Sequence, residues 1–265
     1  MKNLVIICIV CGIFAAFTVK EPRVVEKNTK EFPNNAYKVG EELNFLMYYG
    51  IINIGRASIT LREFPTNDSR TIYHAKAEAR TVGLTRMFTS LHHIYESYFN
   101  EYDVKPIKAI RNVKENNYSA YDEAVFDHET NRVKSNKSGI VEVPEDIYDI
   151  ISSIYYLRRQ GFEGVEINDT IKLTTFFLDK VFDYQIVYKG TERISTRLGS
   201  FQALKFQPVV EPGRSFQSED GMRFWLSADN GHVPLRVEFD LRIGALKCDL
   251  VGHKNLKNEL TRARR

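Results

Sequence analysis

Four places in the 265-residue chain gather side chains able to do chemistry. In "SLHHIYESYFNEYD", His92 and His93 stand near Glu96, a donor set that suits a metal ion. Adjacent residues of a strand point to opposite faces, so regular β structure would keep the two imidazoles apart, and no metal site is assigned. "HETNR" offers His128 and Glu129, but a zinc-protease helix needs a second His where Arg132 stands. Asp220, Asp229 and His232 flank Trp225, and paired carboxylates beside an aromatic ring are the equipment of a glycosidase. Turn chemistry around a core Trp accounts for the same residues and is the favoured reading. Cys248, in "ALKCDL", has no His neighbour in a strand-like context and reads as a small hydrophobe. With no nucleophile elbow and no phosphate-cradling Gly-Lys loop, the chain is expected to act without catalytic residues and without a cofactor.

Binding is the alternative to catalysis, and two residue sets could serve it. "TIYHAKAEAR" alternates strictly, with Tyr73, Ala75, Ala77 and Ala79 on one face and His74, Lys76, Glu78 and Arg80 on the other. The alanine strip leaves room for close packing or for a ligand; with Tyr156 and Trp225 it makes a candidate ligand-binding face. Tyr95, Tyr98 and Tyr102 make a candidate surface for stacking on sugars or on an envelope protein.

The elements that must carry these residues are mainly strands. "EELNFLMYYG", "GRASITLR" and "LRVEFDLRI" repeat the two-residue period, and further strands are expected around 171–177, 184–188, 193–198 and 201–206. Gly50 to Gly55 reads as a hairpin connection. Asp229-Asn230-Gly231 reads as a tight turn, because Asn-Gly tolerates positive φ. One buried and one wet face belongs to antiparallel sheets, so the expected fold is mainly β: a large curled antiparallel sheet, half-barrel or barrel-like. "PEDIYDIISSIYYLRRQG" breaks the period, with Ile147, Ile150, Ile151, Ile154 and Leu157 at helical spacing. This predicts one principal α-helix over 145–160, with acids Glu145 and Asp146 at its start, Arg158 and Arg159 at its end, and Asp149, Ser152, Ser153, Tyr156 and Arg159 on the face away from the apolar stripe.

A charged start, Met1-Lys2-Asn3, precedes an apolar run from Leu4 to Phe17 that is too short to span a bilayer and reads as a secretory signal over 1–18. An extended lead-in over 19–37, one β-rich domain over 38–252 and a basic tail over 253–265 would follow. Cleavage would remove Cys8 and Cys11 and leave Cys248 without a disulfide partner. The remaining chain of about 245 residues can stand on core packing alone. A composition 43% hydrophobic and 27% charged is that of a globular protein, and a net charge of +3 gives no reason to expect nucleic acid. Asn168-Asp169-Thr170 matches a short N-glycosylation pattern, and Asp169-Thr170-Ile171 an O-glycosylation acceptor pattern.

The stretches "VGEELNFLMYYGIINIGRASI", "DIISSIYYLR", "GTERISTRLGSFQALKFQP", "RFWLSADNGHVPLRVEF" and "IGALKCDL" resemble the domain-of-unknown-function 3108 family of exported bacterial proteins. The resemblance spans about Val39 to Leu250 and implies one domain in the periplasm of a Gram-negative envelope. It supplies no catalytic residues. The function expected is a periplasmic binding or carrier protein for a hydrophobic or lipid-linked ligand. An envelope assembly or glycan-interacting protein working through its surface is the alternative, and an enzyme comes third.

Overall fold

The computed structural model describes residues 24–25, 33–67, 70–83, 85, 90–209, 221–241 and 244–263. The expected signal segment, Asp220, Arg242, Ile243, Arg264 and Arg265 lie outside them.

The described strands form one sixteen-stranded sheet. In chain order they are β1 (Val24–Val25), β2 (Glu42–Tyr49), β3 (Ile52–Phe64), β4 (Ile72–Thr81), β5 (Leu91–Asn100), β6 (Pro106–Glu115), β7 (Tyr118–Asp127), β8 (Arg132–Ser135), β9 (Gly139–Glu142), β10 (Ile147–Tyr148), β11 (Thr170–Phe177), β12 (Lys180–Thr196), β13 (Gly199–Pro208), β14 (Met222–Ser227), β15 (Pro234–Leu241) and β16 (Gly244–Lys254), with α1 (Ile150–Arg159) between β10 and β11. The spatial order is β1-β11-β12-β13-β14-β15-β16-β2-β3-β4-β5-β6-β7-β8-β9, with β10 added to β11. Neighbours are antiparallel except where β1 and β10 lie parallel to β11. Among the described residues the sheet is not closed by backbone bonds. Its two limbs meet through side chains: Phe126 of β7 packs edge-on to Phe176 of β11, centroids 6.1 Å apart, and Ser135 and Ser138 both donate to Asp179 in the β11–β12 turn.

Register fixes what lines the concave face. Leu61, Ala75, Ser97, Ala109, Ala124 and Ser135 lie side by side across β3 to β8. One row along, Leu43, Ile59, Ala77, Tyr95, Arg111 and Asp122 do the same across β2 to β7. Helix α1 covers the β3–β4 end of the first of these rows: Ile151 and Tyr155 pack with Tyr37, Leu61, Tyr73, Ala75, Phe99 and Val104.

The expectation of one wet face fails at β13. Phe201 and Ala203 are buried with Leu43, Phe45 and Leu250, while Leu204 and Phe206 are buried on the opposite side with Leu157, Leu173 and Ile186. Between Tyr188 and Thr191 the register of β12 shifts at Gly190, whose φ of 95° suits glycine; such a bulge bends the hairpin and so allows both its sides to be covered.

The helix is shorter than its sequence period suggests. Ile147 and Tyr148 pair with β11 as strand, which removes Glu145 and Asp146 from the helix start. Asp149 caps it instead, accepting from Ile151 N at 2.7 Å and Ser152 N at 3.1 Å, while Ser152 Oγ accepts from Asp149 N at 2.9 Å. Ser152 and Ser153 are buried rather than outward, and so is Arg158. A helix enclosed by the curl has little outer face to offer water.

The connection from β14 to β15 also departs from expectation. Neither Asn230 nor Gly231 takes positive φ; His232 does, at 40°. Asp229 shapes the turn by accepting from Ser227 Oγ at 2.7 Å and Gly231 N at 3.0 Å, and it receives Thr261 N at 3.1 Å.

Candidate functional site

The candidate residues fall in different places. Tyr73, Ala75 and Ala77 belong to the cluster under α1, with Tyr156 at its margin. Ala75 is fully buried there, so its missing bulk is filled by neighbouring side chains. Ala79 pairs with Ala57 and His93, further along β4. Trp225 is buried in a separate cluster and donates Nε1 to Glu192 at 2.6 Å. Tyr95 and Tyr98 face opposite sides of β5. Tyr95 pairs with Ala77 on the concave face; Tyr98 pairs with His74 on the outer one, their rings stacked at 4.4 Å. Tyr102 stands exposed in the β5–β6 turn. The three tyrosines form no common surface.

The candidate ionisable groups are likewise dispersed. His92 meets Glu78 at 2.9 Å, His93 meets Glu115 at 2.6 Å and Glu96 meets His74 at 2.6 Å. His128 contacts the Pro106 carbonyl at 2.7 Å, and His232 Nδ1 contacts the Arg158 carbonyl at 2.8 Å. Burial pushes the Cys248 thiol up to about 12, so it is a thiol at neutral pH. Thr170 is buried in β11 between β1 and β12, so the folded chain presents no hydroxyl acceptor there.

A cleft of about 50 Å³ lies where the two limbs of the sheet meet. Its lining includes Tyr95, Ala109, Arg111, Asp122, Ala124, Ser135, Asp149, Phe176, Phe177 and Asp179. Sequence reasoning overlooked Arg111 and Asp122. Yet they are equidistant from Asn116-Asn117, and a two-residue hairpin there places them opposite each other. Arg111 NH1 meets Asp122 Oδ2 at 2.6 Å, and Lys137 also contacts Asp122. Burial opposes the charge on both partners, but Asp122 and the Tyr95 phenol still hold the guanidinium above its usual range. For Asp122, Lys137 and Arg111 outweigh burial and hold the carboxyl below its usual range. Among the described residues Arg111 Nε is buried without a hydrogen bond.

Asp149 reaches the cleft from the start of α1. It is 4% exposed and accepts Ser97 Oγ at 2.5 Å. Burial raises its pKa, and the Ser97 and backbone bonds only partly offset this. A carboxyl raised on folding contributes stability that is present below its unfolded pKa and lost as pH rises through its folded one. An asparagine in its place would keep the Oδ1 cap without this titration. Asp149→Asn is therefore expected to gain on the wild type as pH rises above the ordinary carboxylate range, whereas Asp149→Ala, which loses the cap, should cost about 1–2 kcal/mol. Urea unfolding of the three proteins across acidic and neutral pH checks both; a wild-type advantage that grows with pH would refute the assignment.

The comparisons with known proteins agree with this fold. A family model described as "Protein of unknown function (DUF3108)" matches residues 44–251. The chain belongs to that family. A β-barrel-like protein of domain of unknown function DUF1849 from Brucella abortus superposes with a TM-score of 0.54 at 9% identity, over 82% of this chain and 98% of that one. Two more distant matches are a DUF1089 family protein from Pseudomonas aeruginosa (TM-score 0.35, 9% identity, 67% and 87% covered) and a Bacteroides fragilis protein provisionally described as exported (TM-score 0.33, 10% identity, 83% and 97% covered). No curated protein matches the sequence. The DUF3108 chain therefore shares a barrel-like architecture with the Brucella protein, at an identity that speaks for fold alone.

Proposed function

We propose that this DUF3108 protein is an exported envelope protein, resident in the periplasm, that binds a polar, glycan-type ligand at the cleft between its two sheet limbs and performs no chemistry on it. The observation that carries this reading is the filling of the concave face around Ala75. Tyr37, Phe99, Ile151 and Tyr155 close over Ala75, so the space its small side chain leaves is taken by side chains rather than by an apolar ligand. The cleft, in contrast, pairs aromatic rings with an arginine, carboxyls and hydroxyls, the mixture that recognises sugars through ring faces and hydrogen bonds. Asp229 and His232, once candidates for glycosidase chemistry, are occupied in shaping a turn and in donating Nδ1–H to the Arg158 carbonyl at the helix end. Export rests on the charged start and apolar run of the first eighteen residues.

Native mass spectrometry of the protein recovered from its own envelope tests this reading, before and after organic extraction and with added envelope-glycan fragments. Saccharide adducts with a polypeptide mass unchanged by extraction are the expected result. A discrete apolar mass removed by extraction would overturn it in favour of a lipid carrier. That second reading draws on one feature, the side-chain-only junction between β7–β9 and β10–β12, which can part without breaking a backbone ladder.

A further inference from the structure

The cleft has a chemistry more specific than polarity. Its volume of about 50 Å³ admits only a few non-hydrogen atoms, given that a single water needs about 10–15 Å³. Any ligand of sugar size must therefore insert a tip and leave its bulk at the mouth. The lining combines two methyl groups, on the adjacent partners Ala109 and Ala124, with the buried Nε–H of Arg111, which has no acceptor among the described residues. A buried unpaired donor costs about 1–3 kcal/mol, which a ligand oxygen would relieve. The charge around it decides which oxygen. Asp122 pairs with both Arg111 and Lys137, and Asp149 and Asp179 add two more carboxyls to the lining, so the cleft offers an anionic tip no surplus of positive charge. A neutral carbonyl bearing a methyl group satisfies the donor and the alanine floor together. At the rim stand Phe177, 6.3 Å from Tyr95 ring to ring, and the exposed Leu178, apolar surfaces against which a pyranose face can lie.

We infer that the cleft is an acetamido-binding site: an N-acetylated amino sugar inserts its acetyl group, the carbonyl oxygen accepts from Arg111 Nε and the methyl packs on Ala109 and Ala124. This rests on the glycan reading above and specifies the group recognised.

Saturation-transfer NMR and calorimetry with tri-N-acetylchitotriose, against the de-N-acetylated glucosamine trimer, test the assignment. The N-acetylated trimer binds, with saturation strongest at the acetyl methyl, and the free-amine trimer binds about tenfold or more weakly, corresponding to about 1.4 kcal/mol. Ala124→Val, which narrows the floor, and Arg111→Lys, which keeps the charge but removes Nε–H, each weaken binding of the N-acetylated trimer about tenfold while thermal unfolding verifies that both variants fold. Equal affinity for the two trimers, binding of neither, or binding untouched in a folded Ala124→Val protein overturns the acetamido assignment. The broader glycan reading is judged separately: saccharide adducts in the native spectrum with no acetamido preference leave it standing, and an extractable lipid removes both.

Discussion

Replacing Arg158 with Met should lower the free energy of unfolding by about 3–5 kcal/mol, because it strands a carboxylate in the core. Arg158 and Glu41 are each 1% exposed. NH1 and NH2 of the arginine donate to the two carboxylate oxygens at 2.5 and 2.9 Å, Nε and NH2 reach the Gly231 carbonyl, and NH2 reaches that of Ala36. The guanidinium lies 5.3 Å from the centre of the Tyr37 ring and 5.5 Å from that of Tyr155. Burial works against its charge, yet Glu41 more than compensates and holds its pKa above the usual value. One side chain thus ties three segments together: the stretch before β2, the end of α1 and the β14–β15 turn. Equilibrium urea unfolding at neutral pH measures the loss. The double variant Glu41→Leu/Arg158→Met should recover most of it, since an apolar pair avoids the desolvation that the ion pair must overcome. A single variant costing under about 1 kcal/mol would mean that Glu41 finds water or another partner, and hence that this end of the helix opens.

The pair also marks where the sequence stops being legible. Arg158 reads correctly as a last-turn cation, but its partner lies 117 residues away, and only the curl of the sheet brings the two together. The alternation in β4 was readable because its outer face is wet; Lys76, Glu78 and Arg80 carry the signal as much as Tyr73 and Ala75 do. β13 gave no such pattern, with both faces buried and apolar residues at successive positions. Helix existence followed from Ile151, Ile154 and Leu157, but its start did not. Ile147 fits the helical period and is nonetheless strand, because backbone pairing with β11 holds Ile147 and Tyr148 extended and Asp149 begins the helix at the next residue. The tyrosines around β5 show the reverse problem: proximity in sequence suggested one surface, and the two-residue period separates Tyr95 from Tyr98. Arg111 and Asp122 were within reach of a hairpin argument centred on Asn116-Asn117. The other two aspartates of the lining, Asp149 and Asp179, come from elements whose docking only the folded sheet defines.

Whether the concave face is full under α1 can be decided by emptying it. Phe99 is completely buried between Tyr73 and Tyr155, with ring centroids 5.9 and 5.2 Å away. Phe99→Ala removes an aromatic ring from a wall whose neighbours are held by α1 and by β4, so little collapse can follow, and a loss of about 3–5 kcal/mol is expected. The void left behind is apolar and should stay dry, which makes it a receptor for a small apolar molecule such as benzene. Saturating benzene should then restore part of the variant's stability, about 2.7 kcal/mol at a hundredfold excess over its dissociation constant, and leave the wild type unchanged. The comparison reaches back to function. A wild-type protein stabilised by benzene to the same degree would already hold open apolar volume beside Ala75, and the lipid-carrier reading would regain its ground. Stabilisation confined to Phe99→Ala means that the alanines of β4 exist to admit Tyr37 and Tyr155, and that ligand recognition belongs at the cleft between the limbs of the sheet.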